Sequence, residues 1–128
     1  CLAEITVFSE KGGVKRHAFL EYLNKSVMGS TFTSYKTPAL VNLDFTATHT
    51  SEMLRKDMEL ALVAARNMEV PMPITNMTRD IIQKLIGLGY GNDDFAALIE
   101  MQARFSGYEI KSEEISVSDG LAWSYDQK

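Results

Sequence analysis

Along most of this chain apolar residues recur at steps of three and four, the period of a helix that buries one face. The first stretch carries Leu2, Ala3, Ile5 and Phe8 and ends near Lys11, where Gly12-Gly13 permits the left-handed turn that closes helices. A second helix is predicted from Val14 to about Lys25, with Val14, Ala18, Phe19, Tyr22 and Leu23 on one face. The segment 26–50 is rich in Ser, Thr, Gly and Asn and is too long for a bare loop. A helical turn over 34–41 is expected to interrupt it.

The third helix has the clearest start, because Thr50-Ser51-Glu52 offers a hydroxyl cap and an acid near the positive end of the dipole. Its expected inward stripe is Leu54, Met58, Ala61, Ala65 and Met68, flanked by Met53, Leu60 and Ala64. A fourth helix begins in the Val70-Pro71-Met72-Pro73 run and is expected to turn Ile74, Met77, Ile81, Ile82, Leu85 and Leu88 inward. Gly87, Gly89 and Gly91 end it. A fifth, capped by Asn92 or Asp93, carries Phe95, Leu98, Ile99 and Phe105 and stops at Gly107.

The tail from Tyr108 breaks the pattern. Ile110, Ile115 and Val117 alternate with polar residues, which fits either a short strand or an extended docking segment, and Trp123 and Tyr125 are expected to pack onto something. The expected division is a helical domain over 1–107 and a tail over 108–128. Four or five helices with short connections and almost no strand signal make an all-α fold, a helical bundle.

Composition narrows the chemistry. The 128 residues hold 13 Lys+Arg against 17 Asp+Glu, a net charge of -4, which argues against nucleic acid as a partner. No run of 18 apolar residues is present, so no membrane span is predicted, and no secretory signal opens the chain. A cytoplasmic location is the default. Cys1 is the lone cysteine, and His17 and His49 stand in no ligand-spaced motif, so no disulfide or metal site is expected. The chain begins inside a helical pattern, without a capping residue and with its first Met at position 28. It is therefore expected to be a fragment.

Few residues stand out as carriers of chemistry. Gly87-Leu-Gly89-Tyr-Gly91 lacks the spacing and the preceding strand of a phosphate-binding loop and reads as a helix-to-helix turn. Lys56-Asp57 is the exception, since Asp57 falls between Met53 and Leu60-Ala61, where a charge needs a partner or a functional reason. The plain structural alternative pairs Lys56 with Glu52 at i,i+4 and sends Asp57 to a helix end or an arginine.

At Leu54-Arg-Lys56-Asp57-Met-Glu-Leu60-Ala61 the chain resembles the β-hydroxyacid dehydrogenase family, which includes 3-hydroxyisobutyrate dehydrogenases and tartronate, glyoxylate and succinic semialdehyde reductases. Ala64-Ala65, the prolines at 71 and 73, and Gly89-Tyr-Gly91-Asn-Asp93-Asp94-Phe95 follow in the family's order, and Ala3-Glu4 with Gly13-Val14 is similar to the end of its interdomain helix. The resemblance reaches from residue 1 to about 105. It implies the all-α C-terminal domain of 6-phosphogluconate dehydrogenase-like enzymes, which closes the cleft of an N-terminal Rossmann domain and forms a homodimer. The complete protein would be an NAD(P)-dependent oxidoreductase acting on a β-hydroxyacid or its semialdehyde.

For the residues, the resemblance implies that Lys56 reaches the NAD or NADP cofactor near the nicotinamide and that Asp57 helps to fix the helix or the pocket. The catalytic lysine would lie before Cys1, so this chain alone is expected to bind no cofactor and to turn over no substrate. Many members have a Phe seven residues before the lysine, where this chain has His49. Either His49 makes the substrate pocket more polar, or Phe45 fills that space and His49 is only a helix-entry residue. Two other readings stay open. One is a stand-alone helical interaction module using Met53, Met58, Met68, Met72 and Met77; the other is a family-derived protein that has lost its chemistry.

Overall fold

The computed structural model describes residues 1–121; Trp123 and Tyr125 lie outside the described residues. Six α-helices and no strand are present among them, so the domain is all-α. The chain divides into two compact units, residues 1–44 with 99 onward, and Phe45–Leu98. Among the described residues no helix is long and apolar enough to cross a membrane.

The first unit contains α1 (Leu2–Lys11), α2 (Arg16–Lys25), α3 (Thr31–Asn42) and most of α6 (Leu98–Phe105). Its apolar core is built from Val7, Leu20, Leu23, Leu40, Val41, Ile99, Met101 and Ala103. Helix α2 begins two residues later than the pattern predicts, and Val14, Ala18 and Tyr22 are exposed. Leu23 is buried as expected, and Arg16 and Leu20 complete the inward face. An arginine can lead that face because its charge has internal partners: Nη1 donates to Glu10 Oε2 at 3.0 Å, and Nη2 donates to the carbonyls of Val41 at 2.7 Å and Lys111 at 2.5 Å.

The expected turn over 34–41 is a full helix, α3. A capping box starts it. Ser30 Oγ accepts from Thr33 N at 3.1 Å and Thr33 Oγ1 accepts from Ser30 N at 2.9 Å. Threonine fills the place usually held by Glu or Gln, which hides this box from a reading of the sequence.

Residues 108–119 form no strand; they dock as an extended segment. Asn42 and Ile115 exchange two hydrogen bonds, at 2.9 and 3.1 Å, and Glu113 N donates to Val41 O at 3.2 Å. Helix α2 receives no cap from its own Lys15. Glu113 supplies one from 97 residues away, accepting from Arg16 N at 3.0 Å and from His17 N and Nδ1 at 2.9 Å each. Burial alone would raise the Glu113 pKa. The hydrogen bonds from His17 and Arg16, with the Arg16 charge behind them, outweigh it and hold the carboxyl below the ordinary 4.5.

The second unit contains α4 (Ser51–Asn67) packed against α5 (Pro73–Leu85), then a π-helical turn over Ile86–Tyr90 and a 3₁₀ turn over Phe95–Ala97. The inward stripe of α4 is Leu54, Met58, Leu62 and Ala65, so Leu62 takes the place expected for Ala61. Ala61, Ala64, Met53, Leu60 and Met68 are exposed. On α5 only Ile82 and Leu85 are fully buried, while Ile74 and Met77 face outward. The helix starts on Pro73 as the pattern predicts, since its missing N–H falls where no intrahelical partner exists.

Candidate functional site

The site is built where the segment 45–50 enters α4. Thr50 caps the helix, its Oγ1 accepting from Met53 N at 3.1 Å. The preceding turn is pinned by Asp94, a carboxylate only 1% exposed. Its Oδ2 accepts from Thr48 N at 3.0 Å, Thr48 Oγ1 at 2.9 Å and His49 N at 3.3 Å, while Oδ1 accepts from Ala96 N at 2.9 Å and caps the 3₁₀ turn.

Backbone bonds complete the junction. Asp94 N donates to Phe45 O and Ser51 N to Asp93 O, both at 2.9 Å, and Glu52 N donates to Gly91 O at 3.1 Å. Such a carboxylate can stay buried because four donors meet its two oxygens. The turn cap expected at Asn92 or Asp93 is therefore Asp94.

This junction brings the three sequence-predicted residues together. His49 Nε2 lies 3.2 Å from Asp57 Oδ2, and Lys56 Nζ lies 3.2 Å from Asp57 Oδ1, so one carboxylate serves both neighbours. The side chains of His49, Asp57 and Lys56 are 31%, 50% and 62% exposed, which leaves them accessible to a ligand. The His49 ring also stands edge-on to Phe95, with centroids 6.3 Å apart. Asp57 thus finds its partners in His49 and Lys56, neither a helix end nor an arginine.

Chemically the cluster offers an ammonium with N–H groups to spare beyond the one facing Asp57, and an imidazole beside that carboxylate. Such donors suit oxygen acceptors, whether hydroxyl, carbonyl or anionic. No group of three or more His, Cys, Asp or Glu among the described residues could hold a metal ion. Asp94 is the residue that sequence reasoning missed. Its signal was present as the last position of Gly89-x-Gly91-x-x-Asp94, but the pattern does not say that this acid turns inward.

Residues 1–102 match the family described as NAD-binding of NADP-dependent 3-hydroxyisobutyrate dehydrogenase, and the chain belongs to that family. Among its relatives, the cytokine-like nuclear factor N-PAC of Aedes aegypti is 30% identical over 81% of this chain and 18% of its own length. The 2-(hydroxymethyl)glutarate dehydrogenase of Eubacterium barkeri is 29% identical over 85% of this chain and 36% of its own length. Glyoxylate/succinic semialdehyde reductase 1 of Arabidopsis thaliana is 28% identical over 77% and 34%, respectively. The chain thus spans only 18 to 36% of the length of these relatives.

Proposed function

We propose that this chain is the helical, cleft-closing domain of an NAD(P)-dependent oxidoreductase acting on a β-hydroxyacid or the corresponding semialdehyde. The observation that carries this reading is the cluster at the start of α4, where Lys56 and His49 share the Asp57 carboxylate at 3.2 Å each in a chain of this family. A bound dinucleotide would supply the hydride chemistry. Lys56 would hold it, donating to oxygens of the nicotinamide ribose or carboxamide while its stem covers apolar surface. Asp57 and His49 would form part of the pocket wall beside it. The partner closing the site would be a Rossmann domain, and the proton-transfer lysine is assigned to no residue of this chain.

The test is dinucleotide binding by the protein as encoded. Lys56→Ala is expected to weaken NADPH or NADH binding about ten-fold, the scale of one lost hydrogen bond from a charged donor. Unchanged binding would remove Lys56 from the cofactor site.

A homodimer is also proposed. It is supported by the exposure of Met53, Leu60, Val63, Met68, Ile74 and Met77, six large apolar side chains of the second unit that water covers poorly. Light scattering at rising concentration would then give a dimer mass.

The same surface supports a second reading, a binding module without chemistry, and the relative whose name describes a nuclear factor adds to it. Under that reading the encoded protein binds no dinucleotide.

A further inference from the structure

We infer that His49 is a positioning residue for Lys56, acting through the carboxylate that the two share. The inference rests on the cofactor-contacting role proposed above for Lys56. Adjacent residues leave an α-helix about 100° apart, so nothing in α4 itself aims Asp57 at Lys56. Asp57 is half-exposed and could equally turn to solvent.

What directs it is the imidazole from outside the helix. His49 Nε2 stands 3.2 Å from Oδ2, within ion-pair distance, while Oδ1 stands 3.2 Å from the ammonium. The imidazole is itself held in place. Buried Asp94 accepts its backbone N–H at 3.3 Å and both donors of Thr48, and the ring rests edge-on against Phe95.

A continuous set of contacts thus runs from a buried aspartate through His49 and Asp57 to the exposed ammonium. Each link removes rotational freedom that a ligand would otherwise have to freeze on binding. A phenylalanine at 49 has no donor and would leave Asp57 to swing away or to close on Lys56 with both oxygens. Either outcome lets the ammonium depart from one fixed position.

The experiment measures NADPH and NADH dissociation constants by fluorescence, for the protein as encoded and for His49→Phe, His49→Gln, Lys56→Ala and the Lys56→Ala/His49→Phe double variant. His49→Phe is expected to weaken binding about three- to five-fold, the scale of one partly exposed charged contact. His49→Gln keeps an N–H donor and is expected to bind within about two-fold of the parent. In the Lys56→Ala background His49→Phe is expected to have no further effect, because its influence travels through the lysine.

Full-strength binding by His49→Phe overturns the inference, as does a glutamine no better than phenylalanine. Additive losses in the double variant overturn it too, since His49 would then act independently. If Lys56→Ala alone binds normally, the role proposed for Lys56 fails first and this inference with it. A weakened Lys56→Ala beside an unaffected His49→Phe removes the inference and leaves that role standing.

Discussion

The Asp94 carboxylate accepts the backbone N–H of His49 at 3.3 Å from a position 1% exposed to solvent, 45 residues further along the chain. One buried acid therefore sets both the entry of α4 and the start of the 3₁₀ turn. Asp94→Ala would strand the N–H groups of Thr48, His49 and Ala96 and is expected to cost about 2–4 kcal/mol. Asp94→Asn keeps one acceptor and is expected to cost less than half as much. Urea denaturation of the two variants, read as midpoints at constant slope, checks the order. Equal losses would show that the one oxygen asparagine keeps contributes nothing without the charge and the second oxygen.

Glu113 gives the tail a dependence on pH. Its carboxyl is held below the ordinary 4.5, so its stabilisation is fully present above that value and is lost as pH falls through the depressed value. Amide NMR signals of Glu113 and Ile115 are expected to move together as pH falls below 4.5 and the acid protonates. Glu113→Gln is expected to flatten that transition while keeping much of the docking.

Arg16 is wholly buried with its guanidinium on Glu10 and two carbonyls. Arg16→Ala takes the guanidinium away from Glu10 and from the carbonyls of Val41 and Lys111, and the expected loss is about 3–5 kcal/mol. Arg16→Met with Glu10→Gln removes the opposing charge as well and is expected to recover part of that loss. A double variant no better than the single one would mean that the carbonyl bonds, and not the ion pair, dominate.

Two glycines of one turn are expected to respond differently. Gly89 has φ of 101°, and no atom lies within 4 Å of an added Cβ, so Gly89→Ala meets only backbone strain of about 1–2 kcal/mol. Gly91 has φ of -61° and its added Cβ meets the end of the Glu52 side chain at 3.0 Å. That side chain is flexible, and Gly91→Ala is expected to cost under about 0.5 kcal/mol. Thermal melts of the pair check the contrast.

Helix α4 shows how far the sequence carried. Its cap at Thr50, its length and the Lys56-Asp57 pair were legible, because caps and helical spacing are local properties of consecutive residues. Its buried face was only half legible. Leu54, Met58 and Ala65 were expected inward, but Leu62 displaced Ala61 while Leu60, Met53 and Met68 stayed outside. Apolar residues occur on more of this helix than one neighbour can cover, so periodicity could not choose among them. Helix α2 erred the other way, since an arginine on a buried face becomes tolerable only with Glu10, Val41 and Lys111 already in place.

By itself the sequence determined an all-α fold, the start of α4, the glycine turn that follows α5, and the family to which Lys56-Asp57 points. These follow from spacing, capping chemistry and backbone freedom within a few residues. Only the tertiary structure decided that Glu113 caps α2, that Asp94 turns inward, and that His49 meets Asp57 and Lys56 on one carboxylate. Each of those pairs a charge with donors distant in sequence or on another segment. The stability of such a charge depends on partners that folding alone assembles.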